Sequence, residues 1–185
     1  MTEVSQAFRR LAKRSRRELE ELHRGGASPE IAAMVGYEYC GFNHPAVMGL
    51  LGIRKFVKGF FPARGQAFGF NTPVWQSAIE SAWAAKPDEA NPKRFAFYSV
   101  EAAAAGGAHP NALLLDYSRG DNRPPASLLR DYVVRVEPGS DELLLGKAYV
   151  ARVRVGFFLL ERRRDRKSTR LNSSHALLSR MPSSA

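Results

Sequence analysis

The segment LLRDYVVRVEPGSDELLLGKAYVARVRVGFFLLERR, residues 128–163, alternates apolar runs with turn residues. Pro138, Gly139 and Ser140 separate the first run from the second, and a further turn near Arg152 precedes the third. An earlier run, NALLLDYSRG at residues 111–120, also ends in turn residues. Short apolar runs separated by turns predict strands. Their spacing of roughly ten residues favours an antiparallel barrel or sandwich over βαβ units.

Four upstream segments also carry strand patterns. They are GYEYCGF at 36–42, IRKFVKGFF at 53–61, QAFGFNT at 66–72 and KRFAFYSV at 93–100. We expect each of them to form a strand. Residues 73–85 fit two structures: Trp75, Ile79 and Trp83 follow helical spacing, whereas prolines bracket the segment closely.

The N-terminal residues SQAFRRLAKRSRRELEELHRGG, 5–26, predict a basic α-helix. Phe8, Leu11 and Leu19 lie near one helical stripe, which Ser15 interrupts, and two glycines follow the last turn. The predicted organisation is therefore a basic helix over residues 1–27 followed by a mainly β domain over residues 28–164.

The last 21 residues, 165–185, resemble a translated sequencing-library adapter. The adapter codons spell Asp165–His175 and Ser179–Ala185, and residues 176–178 fall in its variable index. A segment of this origin is left out of fold reasoning. We therefore interpret 165–185 as an artefactual, disordered tail, and we expect the natural protein to continue past Arg164.

Composition excludes several classes of protein. Cys40 is the single cysteine, which rules out a disulfide framework and a cysteine metal site. No segment approaches the roughly 20 apolar residues that a membrane-spanning helix needs, and the basic N-terminus lacks the apolar core of a signal peptide. We predict a soluble cytoplasmic protein with no metal and no cofactor.

The formal charge of +10 raises the question of a nucleic-acid partner. Basic residues are crowded into the first seventeen positions, but no aromatic stacking platform accompanies them, and acidic residues follow within a turn. A solvated helix face packed on the rim of the β domain is the favoured interpretation, so no nucleic-acid partner is expected.

Several of these segments resemble bacterial proteins that combine a GXWXG module with a domain of unknown function. His44 with Pro45 matches the first loop of those proteins, and Lys55 with Phe56 matches the segment after it. The late strands match through LLRDYVVRV, ELLLGK and GFFLLER, in the same order along about 120 residues. Tyrosine stands where the module has tryptophan. The resemblance implies an antiparallel, lipocalin-like β-barrel and no known activity.

Charged residues inside apolar strands are the candidate ligand contacts. Asp116 interrupts one strand, Asp131 lies among apolar residues with Arg130 on the opposite face, and Lys147 follows LLLG. Buried charges are costly unless they are paired. Two interpretations stay open: a pocket in which Arg130 or Lys147 meets a polar ligand head, or charges on the solvent face of half-exposed strands.

An eight-stranded barrel is wide enough either to be packed solid or to hold one small ligand. The first hypothesis is a barrel that binds a small apolar or amphipathic, and possibly anionic, molecule, with contacts from His44, Lys55, Asp116, Arg130, Asp131 and Lys147. The alternative is an enzyme of the isomerase, cyclase or hydrolase type that uses His44 or Asp131 as its acid or base. The sequence assigns no catalytic residue.

Overall fold

The computed structural model describes residues 3–44 and 52–167, with side chains through Arg163. Eight antiparallel strands close into one barrel in chain order, which confirms the predicted mainly β architecture. The strands are β1 (Tyr37–Asn43), β2 (Lys55–Ala63), β3 (Gln66–Pro73), β4 (Phe95–Ala102), β5 (Leu113–Asp116), β6 (Leu129–Arg135), β7 (Leu143–Val150) and β8 (Val153–Lys167).

Each strand sends alternate side chains into the barrel and out of it. On β2, Phe56, Lys58 and Phe60 face inward, whereas Lys55 and Val57 face outward. The register carries this alternation around the barrel, since Lys58 lies opposite Tyr39 on one side and Asn71 on the other. The interior core then consists of residues from all eight strands, among them Tyr39, Phe60, Tyr98, Leu115, Val133, Leu144, Phe158 and Leu160.

Aromatic rings inside the barrel lie over glycines of the neighbouring strand. The ring of Phe158 covers Gly146, and the ring of Phe56 covers Gly41. A Cβ built on Gly146 would lie 2.0 Å from a Phe158 ring carbon. The glycines therefore make room for large rings at interior positions.

The segment 5–26, predicted as one helix, forms two helices in the structure. They are α1 (Gln6–Ala12) and α2 (Arg16–Gly25). Ser15 is the reason for the break, because its side chain accepts a hydrogen bond from the Glu18 backbone amide while Glu18 bonds back to the Ser15 amide. This capping box begins a new helix at the residue that interrupts the apolar stripe.

The N-terminal helices cover part of the outer face of the barrel. Phe8 and Leu19 are fully buried in one cluster with Leu145, Phe157 and Leu159. Trp83 joins this cluster from the segment between β3 and β4, whose residues 75–94 are all described and none of them helical. The outer face of β7 and β8 thus also carries a buried apolar cluster.

The two ends of the barrel differ. At one end, here the α3 end, the short helix α3 (Ile31–Met34) leads into β1 and buries Met34 against the interior core. At the other, here the loop end, β3 runs into the segment 74–94 and β5 runs into two short 3-10 turns at 117–119 and 126–128. None of the helices in the described ranges is long and apolar enough to cross a membrane.

Strand β8 extends past Arg164 to Lys167, which pairs with Tyr37 of β1. It therefore includes the first three residues of the segment that resembles an adapter. Residues 168–185 lie outside the described residues, as do 45–51 of the predicted loop after β1. The adapter origin of the tail stays a prediction.

Candidate functional site

A group of four polar side chains lies inside the barrel, here called the interior cluster: Lys58, Asn71, Tyr117 and Asp131. Lys58 Nζ and Asp131 Oδ2 form an ion pair at 3.1 Å, and the two side chains are only 2% and 6% exposed. The Tyr117 hydroxyl donates a hydrogen bond to Asp131 Oδ2 at 2.9 Å and accepts one from Lys58 Nζ. Asn71 Oδ1 accepts a hydrogen bond from Lys58 Nζ at 3.1 Å. The three N–H donors of the lysine thus all have acceptors.

Different elements bring these four residues together. Lys58 and Asn71 are register partners on β2 and β3, and Asp131 lies on β6, opposite Ala148 of β7. Tyr117 belongs to the 3-10 turn that follows β5. The Asp116 side chain caps that turn by accepting a hydrogen bond from the Ser118 amide at 2.8 Å. This cap holds the tyrosine hydroxyl over the barrel interior.

Aromatic rings surround the lysine ammonium. Nζ of Lys58 lies 4.6 Å from the ring centroid of Tyr98 and 5.1 Å from that of Tyr117. The rings of Phe158 and Phe56 follow at 5.3 Å and 5.7 Å. Ring faces at this range attract a cation, so they offset part of the cost of burying it.

Burial sets the protonation behaviour of the interior cluster. It lowers the pKa of Lys58, although the Asp131 carboxylate acts in the opposite direction. Burial, together with the Asp131 charge, raises the pKa of Tyr117 well above its ordinary value. The Tyr117 hydroxyl therefore stays neutral, and it can donate or accept a hydrogen bond within reach of both the Lys58 ammonium and the Asp131 carboxylate.

The interior changes character on either side of the interior cluster. Towards the α3 end, the lining residues Phe60, Leu113 and Leu160 are large and buried. Towards the loop end, the interior positions Ala148 and Gly156 are small and remain partly exposed. Asp131 thus lies between large buried residues on the α3 side and small residues of β7 and β8 on the loop side, whereas β2 places the Phe56 ring on the loop side of Lys58.

The predicted site residues do not converge. Asp131 is the member of the predicted set that belongs to the interior cluster. Asp116 and Arg130 lie on the outer face and form an ion pair at 3.1 Å beside the 3-10 turns. The Arg130 guanidinium also donates to the backbone oxygens of Ser127 and Leu129, which braces this loop.

Lys55, His44 and Lys147 also lie outside the barrel. The Lys55 ammonium sits 3.8 Å above the Trp83 ring and donates to oxygens of residues 77–82, so it anchors that loop. His44 Nε2 lies 2.9 Å from the Arg14 backbone oxygen, next to the junction of α1 and α2. Lys147 forms an ion pair with Glu20 of α2 at 2.7 Å.

Cys40 lies on the outer face of β1 beneath the N-terminal helices. Burial raises the pKa of its thiol to about 12, which strongly disfavours the thiolate. A thiolate is the nucleophilic form of cysteine, so this side chain acts as packing rather than as a reactive group.

Sequence reasoning missed Lys58, Asn71 and Tyr117. One signal was available for the lysine: it stands two residues from both Phe56 and Phe60 in an alternating strand, which places it on the same face as two core rings. No comparable pattern marks Asn71, and Tyr117 follows the end of its strand. Their convergence depends on barrel closure.

Comparison with known proteins adds no family. No protein-family model matches the chain, and no curated protein sequence matches it significantly. The resemblance to the GXWXG-module proteins therefore remains a prediction, and the barrel with its interior cluster is what defines the candidate site.

Proposed function

We propose that this protein binds a small amphipathic molecule through the loop end of the barrel, with the polar head of the molecule at the interior cluster. The observation that carries the proposal is the Lys58–Asp131 ion pair, which is buried inside the barrel among aromatic and aliphatic side chains. Burying such a pair is often less favourable than packing apolar side chains in its place. Perturbed ionisable groups of this kind are more frequent at functional sites than elsewhere.

The charge balance of the interior cluster favours a neutral head group. Asp131 already neutralises Lys58, so a ligand carboxylate would add an uncompensated charge to a buried space. A hydroxyl or carbonyl group can instead take over the contact that Asn71 makes with the ammonium. The apolar part of the ligand would then lie against the rings of Phe56 and Phe158.

The test replaces both charges at once. In the double variant Lys58→Met/Asp131→Leu we expect a folded protein, because apolar replacement of a whole buried pair is commonly neutral or stabilising. We expect it to lose the small molecule that native mass spectrometry detects on the wild-type protein purified from cells. Decanol should bind the wild type at least about tenfold more tightly than decanoate.

Glu38→Gln/Arg163→Gln is the matched control, because it also removes one ion pair between side chains that are 9% and 6% exposed, but on the outer face. It should keep the bound molecule and the affinity for decanol. The proposal fails if the wild type carries no molecule and binds no decanol, or if the Lys58/Asp131 variant binds as the wild type does.

A second candidate is acid–base catalysis of the isomerase, cyclase or hydrolase type. It is favoured by the contact of Tyr117 with both Lys58 and Asp131, which gives two titratable partners within hydrogen-bond reach of one hydroxyl. His44 has no part in it, because it lies outside the barrel.

The variant Tyr117→Phe separates the two candidates. If the barrel only binds, the variant should carry a molecule of the same mass as the wild type does. If the interior cluster performs catalysis, the variant should accumulate an unconverted molecule, which differs in mass after a hydrolysis and in chromatographic retention after an isomerisation. Native mass spectrometry of the two proteins from the same cells compares the masses, and liquid chromatography of the extracted molecules compares their retention. Equal mass together with equal retention would exclude the catalytic candidate.

A further inference from the structure

A cleft of about 250 Å³ lies on the outside of the barrel, on the opposite face of β6 and β7 from the interior cluster. Helix α2 forms one wall, the segment between β4 and β5 forms another, and the outer faces of β6 and β7 form the floor. The polar and ionisable residues that line it are Glu20, His23, Arg24, His109, Asn111 and Lys147.

Lys147 is the central group of this cleft. Its side chain is 4% exposed, and its ammonium has one described hydrogen-bond acceptor, the Glu20 carboxylate at 2.7 Å. An ammonium carries three N–H donors, so two of them have no oxygen or nitrogen acceptor among the described residues, and the Phe157 ring, whose centroid is 5.6 Å away, is their nearest described π partner. The comparison with Lys55 is instructive, since that buried lysine has four oxygens around its ammonium. A buried donor without acceptors is unfavourable unless something else supplies them.

The charges around the cleft are predominantly positive. Arg24 belongs to the lining, and Arg154 binds the second oxygen of Glu20 at 2.8 Å. Glu20 is the single carboxylate among the lining residues and is shared between Lys147 and Arg154. One negative charge therefore faces three positive ones.

The two histidines of the cleft are neutral rings with lowered pKa values. His23 Nε2 lies 2.9 Å from the Tyr132 backbone oxygen, and the ring packs edge-on against His109 at 5.3 Å. Burial and the nearby Lys147 charge lower the pKa of His23 to about 4, and the same causes lower that of His109. Both rings are neutral at pH 7. No group of three or more potential metal ligands is found among the described residues, so a cation is a poor match.

We infer that this cleft is a second binding site, and that its ligand is a small oxyanion. A carboxylate or phosphate group would accept hydrogen bonds from the two remaining N–H groups of Lys147, with Arg24 at the rim of the cleft. Glu20 holds Lys147 and Arg154 in place from the other side. This site is independent of the interior cluster, where the charge balance favours a neutral head.

The experiment follows the imidazole resonances of His23 and His109 by NMR while inorganic phosphate, and separately succinate, is added to the intact protein. We expect saturable shifts at both histidines with at least one of the two anions.

Lys147→Met should weaken binding at least about tenfold. Glu20→Gln keeps one side-chain oxygen, which can accept from either Lys147 or Arg154, and it removes the competing negative charge, so it should strengthen binding.

Arg16→Gln is the control, because it removes an exposed positive charge from the same helix without touching the cleft. It should bind the anions as the wild type does. The inference is overturned if neither anion shifts the histidine resonances up to about 10 mM, well above a millimolar Kd. It is also overturned if Arg16→Gln weakens binding as much as Lys147→Met, or if Glu20→Gln weakens it. The wild-type titration and Glu20→Gln decide the matter even if Lys147→Met does not fold.

Discussion

Gly146 on β7 lies under the ring of Phe158, with no room for a side chain. A methyl group there would have to displace the ring from a packed interior, and overpacking of this kind costs about 1–3 kcal/mol. We therefore expect Gly146→Ala to lower the free energy of unfolding by that amount, measured by urea denaturation. Gly25→Ala is the control, because a Cβ at the end of α2 meets nothing within 4 Å. The packing explanation is wrong if both variants unfold at the same urea concentration.

Individual residues of the site differ in how far the sequence could predict them. Asp131 was identified because a charge within an apolar strand is conspicuous. Its partner Lys58 carried the same signal, but the family resemblance pointed to Lys55, which lies three residues earlier and on the other face of the strand. Asp116 and Lys147 gave the same signal as Asp131 and face outward. Alternation tells which residues share a face, but not which face the helices and loops will cover.

At the scale of elements, His23 holds α2 on the barrel, and its protonation state affects the free energy of unfolding. His23 is buried and bonded to the Tyr132 backbone oxygen, while Lys147 and His109 also oppose its protonation and Glu20 favours it. Its pKa falls from an ordinary 6.5 to about 4 in the folded protein. A depressed pKa means that the unfolded chain takes up the proton first. Stability is therefore complete above pH 6.5 and is lost as the pH falls towards 4.

This linkage predicts a pH-dependent difference between the wild type and His23→Gln. Between pH 6.5 and pH 4 the wild type should lose about 3 kcal/mol of unfolding free energy that the variant does not lose. The glutamine amide can still donate to the Tyr132 oxygen, so the two proteins should have similar stability at pH 7. Urea denaturation at a series of pH values measures the difference. Parallel pH profiles would show that His23 is not the group responsible.

At the scale of the whole molecule, the period-two pattern predicted the antiparallel strands but left a barrel and a sandwich both open. All eight predicted strand segments overlap observed strands, and the turns at 138–140 and near Arg152 separate β6, β7 and β8 as expected. The N-terminal segment was less predictable, because the local hydrogen bonds of Ser15 override a continuous helical stripe. Residues 73–85 carried helical spacing but became an extended loop, in which Lys55 and the burial of Trp83 replace helical hydrogen bonds.

The pairing of β1 with β8 has a consequence for how this protein folds. The sheet closes only when residues near Tyr39 meet residues near Arg162, so the decisive contacts join residues that are 123 positions apart. Folds that depend on such distant contacts form slowly. During synthesis, the first seven strands leave the ribosome with two unpaired edges, which are sites for association with other chains. Among the described strands those edges disappear together, at the moment the last strand takes its place.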